Sequence, residues 1–405
     1  MKEIRVGVIG LGCRGKDNLG TMLEFDDVKI TAVCDDYTDR CERGAELVKK
    51  AQNTIPFITT DYNEVLSRDD VDVVTIFTSW DTHISIAVDA MKAGKIVGME
   101  VGGAKSVDEC WKLVKTQEET GTAFMLLENC CYGRTELLVR NMARDGIFGD
   151  IVHCHGAYAH DLREEVTCGK ENRHYRLKQY LSRNCENYPT HELGPIAKIL
   201  DINRGNRMVR LVSMASKAMG AERYINDRAE TFVNKDLIGR KFKQGDIVNT
   251  IIACEGGETI SLTLDTTLPR SYSREFTIRG TKGMYEENTH SVFLDGDKET
   301  GDSFAHYKEV IGNATRFEDK YLPDYWKNLT QHQIEFGHGG MDYFMFKKFF
   351  DTIKNNKPMP IDVYDAAAWM CVTALSEYSI ANGNIPVDIP DFTNGSWKIR
   401  PRLDV

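Results

Sequence analysis

The sequence predicts two domains. The first is an α/β domain on a parallel, doubly wound sheet; the second is an α+β domain on a mainly antiparallel sheet with helices on one face. Three observations carry this. Short apolar strands alternate with helical segments over the first 130 residues, the pattern of a parallel sheet. A glycine-rich turn, Gly10-Leu11-Gly12-Cys13-Arg14-Gly15, directly follows the first strand. Beyond residue 130 the alternation stops, and paired strands are followed by two long helical patterns. The domain ranges are therefore 1–130 and 131–405, with the C-terminal tail able to pack back on the first domain.

In chain order, residues 4–10 form an apolar strand ending on glycine. Strands follow at 29–35, 71–78, 96–100 and 124–129. Helical periodicity fills 83–93 and 107–120, and the second of these opens on Ser106 with Glu109 three residues later, a capping-box start. Then 135–144 reads as a helix and 151–158 as a strand. Residues 159–190 are polar and aperiodic, rich in His, Arg, Tyr and Asn, which suits loops lining a site. Residues 247–254 and 259–267 read as a hairpin across Glu255-Gly256-Gly257-Glu258, with a further strand at 274–280. Helices at 341–354 and 363–381 close the pattern.

Composition excludes several classes. The 405 residues carry 51 Lys plus Arg against 61 Asp plus Glu, a net charge of −10, which disfavours a nucleic-acid surface. No apolar run approaches the roughly 20 residues of a membrane span, and the N-terminus enters a strand without a secretory signal. Eleven scattered cysteines are odd in number and fit thiols in a reducing cytoplasm better than a disulfide scaffold. The sequons at Asn313, Asn328 and Asn394 matter only in a secretory compartment. The expected location is cytoplasmic.

The glycine turn has the spacing G-x-G-x-x-G. Gly10 permits the turn, Gly12 lets backbone approach a pyrophosphate, and Gly15 lets the helix pack close to the strand. Cys13 and Arg14 open the helix, whose amides favour an anion. Asp35 ends the second strand, 20 residues past Gly15, where it can accept hydrogen bonds from a ribose. With Asp36 it would repel a 2′-phosphate, so NAD is the expected cofactor. Trp80, Asp81, His83, Glu100, Val101 and Asn129 stand at the ends of other strands, where ligands bind such sheets. His83 serves either the cofactor or the start of the following helix.

These residues resemble the Gfo/Idh/MocA oxidoreductase superfamily, which pairs a Rossmann domain with an α+β domain carrying an open sheet. Its dehydrogenases usually carry Glu-Lys-Pro where this chain has Glu100-Val101-Gly102, so the substrate lysine is missing. The stretches 128–134, 158–163, 188–195, 269–274, 337–343, 363–369 and 390–393 resemble glycoside hydrolase family 109. That resemblance implies an NAD-dependent α-N-acetylgalactosaminidase. It implies transient oxidation of sugar C3, loss of the C2 proton, elimination at C1, hydration and re-reduction. It also implies a small glycoside substrate and a homo-oligomer, with no nucleic-acid or membrane partner. Gly102-Gly103 replaces Pro-Ala, Glu192 replaces Gly, and Ser271 replaces Pro of the usual family pattern.

By the same resemblance Tyr158, Arg176, Tyr188 and Tyr272 contact substrate, joined by His160 and His338. His191 and Asn129 lie beside the nicotinamide. His191 is the candidate acceptor for the C3 hydroxyl proton, Tyr158 the candidate C2 base, and Tyr188 a third catalytic candidate. The alternative function is an NAD-dependent sugar 3-dehydrogenase releasing a 3-keto sugar. Plainer readings compete for several residues. Tyr188-Pro189 can be a rigid turn before a helix capped near Thr190, and Gly337-His338-Gly339-Gly340 a flexible helix start. Cys130 and Cys131 read as packed thiols, and Trp369 with Met370 as core. His153, His155 and His160 complete no recognised ligand spacing, so no metal is expected.

Overall fold

The computed structural model describes residues 3–297, 310–335 and 337–405. The chain begins β1 (Ile4–Ile9), α1 (Cys13–Met22), β2 (Val28–Cys34), α2 (Thr38–Gln52), β3 (Phe57–Thr59), α3 (Tyr62–Leu66) and β4 (Val73–Ile76). It continues α4 (His83–Lys92), β5 (Ile96–Met99), α5 (Val107–Thr120), β6 (Phe124–Leu126), α6 (Arg134–Arg144) and β7 (Ile151–Ala159). Next come α7 (Arg163–Thr167), α8 (Arg176–Ser182), α9 (Thr190–Ile199), β8 (Met208–Ala215) and α10 (Gly220–Asn226). The strands β9 (Ile247–Cys254), β10 (Thr259–Asp265), β11 (Thr277–Gly280), β12 (Gly283–Glu286) and β13 (Ser291–Leu294) follow. Short helical turns α11 (Glu318–Tyr321), α12 (Asp324–Lys327) and α13 (Gln331–Glu335) precede α14 (Met341–Lys354), α15 (Val363–Ala381) and β14 (Val387–Asp388).

The chain divides into two compact units. One comprises Met1–Gly133, Asn328–Ala367 and Leu403–Val405; the other comprises Arg134–Lys327 and Ala368–Arg402. The sequence reading placed all of 131–405 in the second domain, and the segment Asn328–Ala367 departs from that. Its cause is the phenylalanine face of α14. Phe349 lies against Gly98 of β5, where a Cβ would come within 3.1 Å of the ring. Phe346 meets Phe77, and Phe350 meets Phe25, edge to face. The amide of Leu126 in β6 also donates to Ile361 O at 3.1 Å. Leu403–Val405 also clusters with the first unit.

The first unit holds a six-stranded, wholly parallel sheet in the order β3-β2-β1-β4-β5-β6. The chain starts at β1 and winds outward in both directions, so the crevice opens between β1 and β4. All four residues of β4 are buried, as expected of a strand covered on both faces. The second unit holds an eight-stranded sheet, β13-β12-β11-β7-β10-β9-β8-β14. It is antiparallel except for the β7–β10 pair. Burial alternates along β9 and β10, so one face packs against helices and the other is open.

Several elements differ from expectation. The strands β3 and β8 were not expected. The expected strand at 71–78 contracts to Val73–Ile76. The polar stretch 159–190 contains α7 and α8, each anchored by ion pairs rather than an apolar stripe: Arg163 with Asp161, and Arg176 with Glu165.

Candidate active site

The glycine turn is constrained by its own backbone. Gly10 has φ of 94°, and a Cβ there would lie 2.6 Å from the Phe77 carbonyl carbon. At Gly15 a Cβ would lie 2.0 Å from Gly10 O, so α1 packs on the turn only without a side chain. Gly12 is different: a Cβ would meet only the Arg40 guanidinium, at 3.5 Å or beyond. Gly12 is also the N-cap of α1, with no side-chain cap on the helix amides. The turn therefore presents an open backbone face at a positive helix end, which fits a pyrophosphate.

Asp35, just after β2, is buried and accepts from the amides of Leu11 at 2.6 Å and Tyr37 at 3.0 Å. It both ties β2 to the glycine turn and offers acceptor positions to a ribose. Arg40 stands 3.7 Å from it and lies over the Tyr37 ring. Sequence reading missed Arg40; its signal was only its place in the first turn of the helix after Asp35.

A polar network joins the ends of β1, β5 and β6. Arg14 donates to Glu100 Oε2 at 3.1 Å and to both oxygens of Asp342, at 2.5 and 2.8 Å. Asn18 donates to Glu100 at 3.2 Å, and Asn129 to Asp342 at 2.7 Å. His338 Nδ1 lies 3.0 Å from Asp342 Oδ2 and 3.2 Å from the Arg14 guanidinium. The sequence reading grouped His338 with the substrate residues of the other unit; its partners here are Arg14 and Asp342. Asp342 is the central residue that sequence reading did not single out. Burial raises its pKa, but the charge and hydrogen bonds of Arg14 outweigh this and hold it well below the usual carboxylate range.

Trp80, 5 % exposed, packs on Gly102, where a Cβ would come within 2.3 Å of the indole. Gly102 has φ of 151°, and His83 adjoins the same point. This explains the glycine standing at Gly102. His83 is the first residue of α4 rather than its cap, is fully buried, and has no hydrogen-bond partner on either ring nitrogen. Burial lowers its pKa to about 4, so the ring is neutral. Asp81 takes Lys105, whose Nζ lies 3.2 Å from Oδ1. Val101 is buried, its amide held by its neighbour Glu100 at 3.1 Å.

The second unit gathers most of the expected substrate residues. The Tyr158 and Tyr188 rings lie 4.5 Å apart, and His191 stands edge-on to both, at 5.7 and 4.8 Å. His160 meets Tyr158 at 6.1 Å and Tyr272 at 5.2 Å, perpendicular to each. The Arg176 guanidinium lies over Tyr188 at 5.0 Å and donates to the Tyr158 hydroxyl at 3.5 Å. Arg274 donates to the Tyr272 hydroxyl at 3.1 Å while paired to buried Glu136. The elements explain the grouping. Tyr158 ends β7, Tyr188 and His191 flank the start of α9, and Arg176 opens α8. At Gly156 a Cβ would come within 2.8 Å of Glu192 Cβ, so this glycine lets α9 lie close on β7.

The plainer alternatives also resolve. The N-cap of α9 is Pro189, with no side-chain cap, so Thr190 is not a cap. Cys130, Cys131, Trp369 and Met370 are buried packing residues. His153 and His155 are engaged by Thr259 and Ser261 hydroxyls at 2.8 Å, and His155 also by Glu275.

A family model of the NAD-binding Rossmann fold of the oxidoreductase family matches residues 4–127. A model of the glycosyl hydrolase 109 C-terminal domain matches residues 132–399. The chain belongs to glycosyl hydrolase family 109. A family 109 protein of Stenotrophomonas maltophilia is 37% identical, covering 98% of this chain and 91% of that one. An alpha-N-acetylgalactosaminidase of Tannerella forsythia is 37% identical, covering 97% and 87%. Among solved structures, an oxidoreductase of Agrobacterium radiobacter in complex with NAD+, L-tartaric acid and magnesium superposes with a TM-score of 0.68. It is 14% identical and covers 95% of this chain and 98% of that one, a likeness of fold. The cofactor of this family 109 enzyme is NAD, and the glycine turn, Asp35 and the uncapped α1 fit it. Among the described residues, no helix is long and apolar enough to cross a membrane.

Proposed function

We propose that this chain hydrolyses α-N-acetylgalactosaminides or related small glycosides, with NAD retained and not consumed. The observation that supports this reading best is the Tyr158–Tyr188–His191 cluster with Arg176 against it. It offers two proton-transfer groups and a cation in one compact arrangement.

NAD, when bound, supplies reversible oxidation at sugar C3, which acidifies the C2 proton. Gly10, Gly12, Cys13, Arg14 and Gly15 would hold its pyrophosphate, Asp35 its ribose, and Glu100, Val101 and Asn129 its nicotinamide side. Trp80, Asp81 and His83 would flank it. His191 takes the proton of the C3 hydroxyl and later returns it. Tyr158 takes the C2 proton as a phenolate and becomes the neutral phenol, and the Arg176 guanidinium stabilises the negative charge on that oxygen beforehand. Tyr188, His160 and Tyr272 orient the sugar through their ring edges and polar tips, and Arg274 fixes the Tyr272 hydroxyl.

All eleven cysteines are free thiols, and all but Cys13 and Cys168 are buried, which supports a reducing, cytoplasmic setting. The open face of the second sheet carries Met214, 59 % exposed, and Ile251, 53 % exposed, which supports self-association.

A panel of p-nitrophenyl glycosides tests the reading. Nitrophenol release without added NAD is the expected outcome. Net accumulation of NADH with a 3-keto sugar would replace it by the dehydrogenase alternative.

A further inference from the structure

Two carboxylates in the first unit share one cation. Arg14 is bonded at once to Glu100, at the end of β5, and to Asp342, in the first turn of α14. Among the described residues these carboxylates also accept from neutral donors: Asn18 and the Val101 amide on Glu100, and Asn129 on Asp342. His338 Nδ1 also lies 3.0 Å from Asp342. Lys105 is engaged with Asp81. The three charged groups therefore sum to one negative charge. Both carboxylates are buried, so that charge is weakly screened by salt.

The sheet says where this charge acts. In a doubly wound sheet a dinucleotide spans the switch point, one half over each arm. Asp35 at the end of β2 assigns the adenosine half to the β1-β2-β3 arm. The nicotinamide half falls to the β4-β5-β6 arm, which Glu100 and Asn129 terminate. We propose that Glu100, together with Asp342, makes this domain select the oxidised, cationic nicotinamide ring over the reduced, neutral one.

This inference rests on the NAD-dependent reading above. The chemistry gives the selection a purpose. A hydrolase with no net oxidation must begin every turnover with its cofactor oxidised. A site that holds the oxidised form more tightly also makes the reduced form a better reductant, which favours return of the electrons to the sugar. Glu100 acts here as a positioning and selecting group and need not touch the substrate.

The test is calorimetric titration of nucleotide-free full-length protein with NAD+ and with NADH at pH 8. The wild type, Glu100→Gln and Glu100→Asp are compared. The wild type is expected to bind NAD+ more tightly than NADH. Glu100→Gln is expected to shrink the ratio of the two dissociation constants roughly tenfold, and Glu100→Asp, which keeps the charge, to restore it. Equal affinities in the wild type, or tighter NADH, would overturn the proposal even if Glu100→Gln does not fold. So would an unchanged ratio in a cooperatively folding Glu100→Gln. Binding of neither nucleotide would overturn the NAD-dependent reading itself, and this inference with it.

Discussion

Arg14 and Asp342, 328 positions apart, form a bidentate ion pair at 2.5 and 2.8 Å. It fastens the first turn of α1, which carries the glycine motif, to the first turn of α14. The Asp342 side chain is 1 % exposed, that of Arg14 27 %. Asp342→Asn keeps the shape and removes one of the two carboxylates bonded to Arg14. We expect a loss of about 2–4 kcal/mol in urea unfolding of the nucleotide-free protein. The folded Asp342 carboxyl titrates below its ordinary 3.8. Its contribution is therefore complete above that value and is lost as pH falls below it. An unchanged midpoint in Asp342→Asn would show that α14 is held by its phenylalanine face alone.

Gly102→Ala should be disruptive, because a Cβ at φ of 151° meets the Trp80 indole. The expected outcome is a change in tryptophan emission and a stability loss of about 2 kcal/mol or more. Gly102→Pro, which restores the usual family residue, should be worse, since proline fixes φ near −65°. Trp80→Ala should remove the clash of the first substitution while leaving its backbone strain, and should not rescue the second. Tolerance of Gly102→Ala with unaltered emission would place the indole elsewhere.

The sequence made the β1-turn-α1 unit, the hairpin of β9 and β10, and the helices α14 and α15 legible, because glycine spacing and periodicity are local signals. Asp35, Arg14 and Asn129 were legible for the same reason: each ends a strand or opens a helix. The grouping of Tyr158, Tyr188, His191 and Arg176 came from resemblance, since nothing local says that β7, α8 and α9 converge. Asp342 and Arg40 escaped because their significance lies in pairings across 328 and five positions, which no pattern of apolar residues encodes. The membership of Asn328–Ala367 in the first unit was hidden likewise. A phenylalanine-rich helix reads as core without saying whose core it is.

Two buried groups predict opposite pH effects. Burial lowers His83 to about 4 and raises Glu186 to about 8. Unfolded His83 takes a proton near 6.5 while the folded ring refuses it, so stability falls as pH drops from about 6.5 towards 4. Unfolded Glu186 loses its proton near 4.5 while the fold keeps it to about 8, so stability falls as pH rises between those values. Glu186→Gln should remove the second slope and be more stable than wild type at pH 8 by about 2 kcal/mol. Thermal melts from pH 4 to 9 read both; a wild-type profile with no decline between pH 5 and 8 would contradict the buried neutral acid.

His191→Ala and Tyr158→Phe should fold and still bind NAD while losing turnover. Acid–base groups typically contribute about 10²- to 10⁴-fold. The two should separate in detail. Tyr158→Phe keeps the ring that packs on Tyr188 and deletes only the hydroxyl that accepts from Arg176, so kcat should fall with KM nearly unchanged. Arg176→Lys keeps a charge but loses the planar fork over Tyr188, and should raise KM as well. Near-normal kcat in Tyr158→Phe on the true substrate would remove that residue from proton transfer.

The mechanism leaves a mark on the product. If the C2 proton is removed before the C1–O bond breaks, it passes to Tyr158 and can exchange with solvent before C2 is reprotonated. Hydrolysis in D₂O should then place deuterium at C2 of the released sugar. Substrate deuterated at C2 should react more slowly where that transfer limits the rate. Displacement by two carboxylates never touches the C2–H bond and leaves no label. In the aromatic cluster the Glu165 carboxylate is engaged by Arg176 at 3.3 Å. The elimination route also needs little acid help for the leaving group, because the bond breaks from an electron-rich carbon. Thioglycosides, whose sulfur is a poor proton acceptor, should therefore be cleaved at rates closer to their oxygen analogues than an acid-catalysed enzyme allows. Nuclear magnetic resonance of fresh product decides the matter. Full retention of protium at C2, with hydrolysis proceeding, would exclude Tyr158 as a C2 base.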